Sequence, residues 1–367
     1  MSDASLSSTV RVVTYNVLSS SLCSPFFFNR VNQAYCAFDY RYERVVEQLI
    51  TEIKKQAVIC LQEVSLLWVS KLVFFFESNH YTCVTSNYGI RNNGYMGICI
   101  AYPRNRYQLK ASDVFCVTDT KVGGWKDPSA KKDTTQPGRW TRMWLSLLSW
   151  LNLSPKREKE SLWDTAKSRN NTVICLRLAN NTKEFMVATY HMPCIFWEPA
   201  VMSIHITMAI QAIQRLATKA NVPYIVAGDF NFKPISACYQ FVTTGIFPAF
   251  TNEPTDPEVH GKPTLPSTLV YPGDPFRFEL TEQACLKSAY AENQGKEPAF
   301  TNYAWTEKMK ETFADTLDYI FYGGEGDRLR VRSVKELSTR EIQLLDSLPS
   351  ATEGSDHLMI AAEFDLC

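Results

Sequence analysis

Pro223-Tyr224-Ile225-Val226-Ala227-Gly228-Asp229-Phe230-Asn231 starts as an apolar run and stops on two polar side chains. A short apolar run closed by glycine reads as a strand buried on both faces. Asp229 and Asn231 then stand where the strand ends. The same pattern recurs on either side. Residues 10–15 form an apolar run followed by Asn16, and residues 57–61 one followed by Gln62-Glu63. Residues 185–190 run into His191, Asp318 lies within the apolar stretch 317–321, and Asp356-His357 precede the run 358–364.

Between these runs the apolar period changes to that of a helix. Val45, Val46, Leu49, Ile50 and Ile53 share one face, as do Ile206, Ala209, Ile210, Ile213 and Leu216 within 201–218. Residues 97–102 predict another buried strand. Residues 172–178 and 185–189 predict a hairpin across the polar turn Asn180-Asn181-Thr182-Lys183. Mixed strands and helices, with polar residues where strands stop, predict an α/β sandwich with a site at one end of its sheets.

The polar set has a definite chemistry. A lone Asp or Asn at a strand end is usually a turn residue. Six such positions built only from Asn, Asp, Glu and His point instead to a site. Hard oxygen donors with few imidazoles and no thiolate suit Mg²⁺ or Mn²⁺ rather than zinc. Such an ion lowers the pKa of bound water and neutralises charge on a phosphoryl group, while amides and imidazoles donate to the non-bridging oxygens. The set therefore predicts metal-assisted phosphoester hydrolysis.

Composition bounds the alternatives. With 45% hydrophobic and 21% charged residues, the 367-residue chain is not disordered throughout. Lys+Arg and Asp+Glu are both 38, which excludes a wholly basic nucleic-acid coat and leaves room for a local patch. No run approaches the roughly 18 apolar residues of a membrane span, and residues 1–9 read as a polar, flexible N-terminus without a signal-peptide core. Eleven scattered cysteines with no C-x-x-C pair predict a reduced intracellular, cytoplasmic protein.

Thr14-Tyr15-Asn16-Val17-Leu18, Leu61-Gln62-Glu63-Val64, Thr189-Tyr190-His191-Met192, Gly228-Asp229-Phe230-Asn231, Leu317-Asp318-Tyr319-Ile320 and Ser355-Asp356-His357-Leu358 occur in the order found in the endonuclease/exonuclease/phosphatase superfamily. The chain resembles that family across nearly its whole length. The resemblance implies a deoxyribonuclease I-like fold: a four-layer α/β sandwich of two packed mixed β-sheets flanked by helices, forming one catalytic domain over 10–367. It implies that Glu63, Asn16, Asp356 and Asp229 hold one or two metal ions, Mg²⁺ or in its place Mn²⁺. It implies catalytic roles for Asp229, Asn231, His191, Asp318 and His357. Asn231 and His191 would contact the scissile phosphate, and Asp318 would hold the His357 ring.

The stretches Leu286-Lys287-Ser288-Ala289-Tyr290 and Glu297-Pro298-Ala299-Phe300-Thr301-Asn302-Tyr303 look most like the branch of poly(A) deadenylases, nocturnin and the Angel proteins. That branch implies a 3′→5′ exoribonuclease releasing 5′-monophosphates, with Phe313, five residues before Asp318, stacking on a base. Where the branch carries His-x-His-Trp-Asp-Pro, this chain reads His191-Met192-Pro193-Cys194-Ile195-Phe196-Trp197-Glu198-Pro199. A small nucleotide or a membrane lipid, as in sphingomyelinases and inositol phosphatases, is the alternative substrate. A non-enzymatic RNA-binding scaffold is a third reading, against which the complete motif set argues.

Residues 103–170 read as a basic insertion, with 14 Lys and Arg against 7 Asp and Glu and five of the eight tryptophans. Trp125, Lys131 and Lys132 are candidates for gripping RNA. Residues 140–153 predict a helix apolar nearly all round, suited to a membrane surface or a protein contact. Residues 252–275, rich in proline, predict irregular structure.

Overall fold

The computed structural model describes residues 9–125, 161–180, 183–251, 260–270, 273–306 and 310–367. Two six-stranded mixed sheets lie face to face. The first contains β1 (Thr9–Asn16), β2 (Val58–Val64), β3 (Tyr81–Asn87), β4 (Gly97–Pro103), β13 (Leu329–Val334) and β14 (Ile360–Leu366), side by side as β13-β14-β1-β2-β4-β3. The second contains β5 (Gln108–Cys116), β6 (Thr172–Asn180), β7 (Lys183–His191), β8 (Tyr224–Asp229), β9 (Lys287–Ser288) and β12 (Asp318–Gly323), ordered β5-β6-β7-β8-β12-β9. A separate ribbon pairs β10 (Asn302–Thr306) with β11 (Glu311–Asp315).

The apolar runs are continuous because the central strands are covered on both faces. Val10 and Val12 of β1 point between the sheets, meeting a core that includes Val187, Ile225 and Ile320. Val13 and Tyr15 point outward, into a core shared with Val45 and Leu49 of α1 (Phe38–Ile53) and Trp68 and Leu72 of α2 (Leu66–Ser78). Two helices pack on the second sheet. They are α3 (Leu162–Lys167) and α4 (Pro199–Ala220). The long α4 starts on Pro199, whose fixed φ suits a first turn, and ends at Asn221 in the left-handed conformation. It covers the outer face of the second sheet with Val201, Ile204, Ile206 and Ile213. The layers are thus helix, sheet, sheet, helix, as expected. Among the described residues, no helix is long and apolar enough to cross a membrane.

Register places the polar strand ends together. β1 and β2 run parallel with Asn16 beside Gln62. β7 and β8 run parallel with His191 beside Asp229, and antiparallel β12 sets Asp318 opposite Asp229.

Three expectations change in detail. β2 does not stop at Leu61 but continues to Val64, with a register shift against β4 between Leu61 and Val64. The stretch 103–170 is not insertion throughout, because β5 lies within it and pairs with β6 from Cys116–Thr172 to Gln108–Ala179. This edge strand is exposed along much of its length, so charge and polarity hid its period. Trp163, also assigned to the insertion, is buried in the core beneath α4. The predicted helix 140–153 lies outside the described residues, as do the hairpin tip residues Asn181 and Thr182.

An ion-pair cluster ties β1 to α1. Glu52 is fully buried, with Arg11 Nε 2.5 Å from Oε2 and Lys55 Nζ 2.9 Å from Oε1. Burial pushes the carboxyl up, but the two cations outweigh it and hold its pKa below the usual glutamate value. The pair therefore contributes fully above the unfolded-state pKa of about 4.3, and its contribution is lost as pH falls through the lower native value. Glu52→Gln should destabilise by about 3 kcal/mol, since a half-enclosed guanidinium loses its partner. Urea unfolding at pH 7 would measure this, and the gap from wild type should narrow on acidification below pH 4.

Candidate active site

The site forms where the two sheets present their strand ends to each other. The register shift in β2 is a bulge, which turns a side chain out of the regular alternation. It leaves Glu63 with φ 58° and its carboxylate within hydrogen-bond reach of Asn16 Nδ2 and Ser19 N. After β8, Asn231 likewise adopts φ 51°, and its backbone N–H donates to Asp229 Oδ1 at 2.9 Å. Such backbone is rare for residues other than glycine and concentrates at functional sites.

Asn16 joins the halves. Its Nδ2 donates to Glu63 Oε1 at 3.1 Å and to Asp229 Oδ2 at 2.9 Å, and lies 3.5 Å from His357 Nε2. Its Oδ1 accepts from Leu18 N at 2.9 Å. Asn16 was expected to offer a ligand oxygen, but in this orientation that oxygen is tied to the backbone and the nitrogen faces the carboxylates. Ser19 N donates to Glu63 Oε2 at 2.9 Å. Ser355 Oγ donates to the Asn16 carbonyl at 2.7 Å, bringing Asp356 and His357 to the end of β1. The buried Arg41 binds the Val17, Leu18 and Gly354 carbonyls and ties the same two segments.

His357 Nδ1 lies 2.7 Å from Asp318 Oδ2, an oxygen that also accepts from Thr301 Oγ1 at 2.7 Å. Burial alone would strip the imidazole of its proton. The charges of Asp318 and Asp229 outweigh it and raise the His357 pKa well above the ordinary histidine value. Asp229 Oδ2 stands 3.8 Å from His357 Nε2 and 3.5 Å from His191 Nε2. Burial raises the Asp229 pKa, with the histidines and the Asn16 amide working against the shift.

His191 is oriented from behind. Tyr88 Oη lies 2.5 Å from its Nδ1, and Asn171 Nδ2 donates to its carbonyl at 2.8 Å. Burial raises the Tyr88 pKa, so the phenol keeps its proton and can donate it to Nδ1. That tautomer puts the ring hydrogen on Nε2, facing Asp229 and, at 4.0 Å, Glu63 Oε1.

Two sets of residues bear on metal binding. Asp229, Asp318 and His357 bring one donor atom each within 4.8 Å of one another and can hold an ion. Asp318 and the His357 Nδ1 already satisfy each other, so this trio is better suited to fixing the ring. Glu63 and Asp356 fit a hard cation better. Burial raises the Asp356 pKa, His357 opposes it and the negative Glu63 adds to it. A divalent ion would relieve that crowding of like charge. Glu63 is also the open member, 13% exposed against 2% for Asp229.

The structure thus brings Asn16, Glu63, His191, Asp229, Asn231, Asp318, Asp356 and His357 into one cluster. Phe313 lies on β11, half-buried, with Lys233 Nζ 5.5 Å from its ring centroid, close to the turn that carries Asn231. Trp125 stands apart, packed edge-on against Trp163 with ring centroids 5.7 Å apart. Lys131 and Lys132 lie outside the described residues. Sequence reasoning missed Tyr88, Asn171 and Arg41, which carry no motif. Thr301 did have a signal, within the quoted stretch before Asp318.

Two apposed sheets with an acid, amide and imidazole cluster at one end define a phosphoester-processing architecture. The chain belongs to the endonuclease/exonuclease/phosphatase family, whose sequence pattern matches residues 13–357. It is 25% identical to human 2′,5′-phosphodiesterase 12, over 96% of this chain and 51% of that protein. It is 24% identical to the CCR4-Not complex 3′-5′-exoribonuclease subunit Ccr4 of Aspergillus niger, over 97% of this chain and 51% of that protein. The chain therefore spans about half the length of these curated relatives. Its fold matches that of ANGEL2, a 2′,3′-cyclic phosphatase, with a TM-score of 0.70 at 19% identity, covering 98% of this chain and 96% of that one.

Replacing Asp318 by asparagine removes the charge that opposes burial at His357. In Asp318→Asn the His357 pKa should fall by more than about one unit, the scale of an adjacent carboxylate's effect. An NMR titration of the five histidines would read this directly.

Proposed function

We propose that this protein is a divalent-metal-dependent phosphodiesterase that degrades RNA from its 3′ end and releases 5′-monophosphates. The observation that carries the reading is the single amide of Asn16 bridging Glu63 of one sheet and Asp229 of the other. That bridge sets two carboxylates beside two imidazoles, the acceptor and donor set that phosphodiester hydrolysis uses. The family and the named activities of both curated relatives support phosphodiester chemistry. Eleven free thiols fit a reducing, cytoplasmic setting.

Glu63 and Asp356 would hold Mg²⁺ or Mn²⁺, with Asp229 the nearest further carboxylate. When bound, the ion supplies Lewis-acid stabilisation of charge on the phosphoryl oxygens. The protein side chains do the rest. Asp229, with its raised pKa, orients the attacking water and accepts its proton. The protonated His357, held by Asp318, offers Nε2–H to a non-bridging oxygen. His191 offers Nε2–H from the other side. Asn231 Nδ2 holds the Met192 carbonyl with one hydrogen at 2.8 Å and keeps its second for the phosphate. These donors are fixed before substrate arrives, the condition under which such contacts favour the transition state most.

Phe313 is the candidate base platform at the rim. Its assignment belongs with the RNA reading, as stacking on an aromatic ring suits any base.

The test is a substrate panel in Mg²⁺: poly(A), mixed RNA, single-stranded DNA, 2′,5′-linked and 2′,3′-cyclic phosphates, NADP and sphingomyelin. RNA shortened from the 3′ end to 5′-monophosphates is the expected result. Hydrolysis of sphingomyelin alone would replace the reading with a lipid one. Glu63→Gln should abolish nearly all turnover with unchanged circular dichroism. Asn231→Ala should lower kcat about a hundredfold or more, as loss of one oxyanion donor does.

A further inference from the structure

A cavity of about 500 Å³, walled in part by Tyr88, opens to solvent. Its volume falls in the range of pockets that take small organic ligands, roughly 300–1,000 Å³. Among the described residues its lining includes Asn87, Tyr88, Asp119, Trp125, Lys167 and Asn170.

Two connections join this cavity to the reaction centre. Tyr88 forms part of its wall and also holds His191 Nδ1. Asn171, flanked in sequence by the lining residues Asn170 and Thr172, holds the His191 carbonyl. A molecule seated here is one side chain away from the phosphate expected at His191.

The lining defines the chemistry. Trp125 is held rigidly: its indole N–H donates to the Thr118 carbonyl at 2.7 Å and its ring meets Trp163 in a T-shaped contact. Lys167 Nζ stands 5.9 Å from the Trp125 ring centroid. Among the described residues it has no carboxylate partner, unlike the buried Lys121, which is paired with Asp274 at 3.2 Å. The amides of Asn87 and Asn170 and the carboxylate of Asp119 complete a lining rich in hydrogen-bonding groups. An acyl chain would leave those groups unsatisfied. A flat heterocycle carrying polar edges and a neighbouring phosphate would use them all.

We propose that this cavity is a second nucleotide subsite, with a base stacked on Trp125 and the adjoining phosphate neutralised by Lys167. The proposal deepens the phosphodiesterase reading and rests on it, because it supplies the site for the nucleotide next to the scissile phosphate. Asp119 would accept from the N–H groups that every base carries, so this position holds a base without selecting which one. The strand would then be gripped on both sides of the cut, by this subsite behind His191 and by the rim near Phe313.

The experiment uses the full chain in excess EDTA, where no hydrolysis confounds binding, and measures fluorescence anisotropy of a labelled hexaadenylate. Trp125→Ala and Lys167→Ala should each weaken binding about tenfold or more, the scale of one lost base stack or one desolvated phosphate contact. Trp125→Phe should recover most of the affinity, and binding should weaken as salt rises. If Trp125→Ala fails to fold by circular dichroism, Lys167→Ala decides alone. Unchanged affinity in Lys167→Ala, or no hexaadenylate binding by the wild type, would overturn the proposal. Affinity lost in these variants while the wild type cuts nothing in the Mg²⁺ panel would instead count against the catalytic reading.

Discussion

One amide nitrogen stands between carboxylates carried by two different sheets. Asn16 belongs to β1, Glu63 to β2 of the same sheet, and Asp229 to β8 of the other. Two carboxylates forced together in a low-dielectric setting repel, and one would take up a proton. A donor shared between them holds both in place without cancelling their charge. Its position depends in turn on the end of β1, which Arg41 and Ser355 tie to the segment before the last strand. The sandwich is the means of holding that nitrogen still.

Much of the precision is carried by backbone rather than side chains. Glu63 and Asn231 both occupy left-handed conformations, each just after or within a strand that is otherwise regular. An ordinary strand would point Glu63 into the packed core or away from the cleft. The bulge rotates it instead toward Asn16 and the Ser19 N–H, which hold its two oxygens. Neither position is glycine, so each conformation is held against its intrinsic preference by the surrounding bonds. The Asn231 N–H to Asp229 contact is one of those bonds, and it also fixes the carboxylate.

The sequence reveals the central strands because they are buried on both faces and so read as unbroken apolar runs. It reveals the eight clustered polar residues because each stands within an apolar run or directly beside one. The bulge in β2 was not legible, since the extra residue changes register without changing composition. β5 was missed because an exposed edge strand alternates weakly and sits in a charge-rich stretch. Tyr88 and Asn171 were missed for another reason. Their contribution is a contact with His191 across 103 and 20 residues of chain, which no local pattern encodes. Thr301 lies between these cases, within a stretch whose likeness could be seen but whose bond to Asp318 could not.

The pairing of β1 with β14 has a consequence for biosynthesis. β1 finds one of its two neighbours only after β14, far later in the sequence, has been translated, with Thr14 opposite Ile360. Asp356 and His357 arrive just before that strand. A nascent chain that has not yet reached this segment therefore carries Asn16, Glu63, His191 and Asp229 without Asp356 and His357, and the cluster closes only when the strand beside β1 is made.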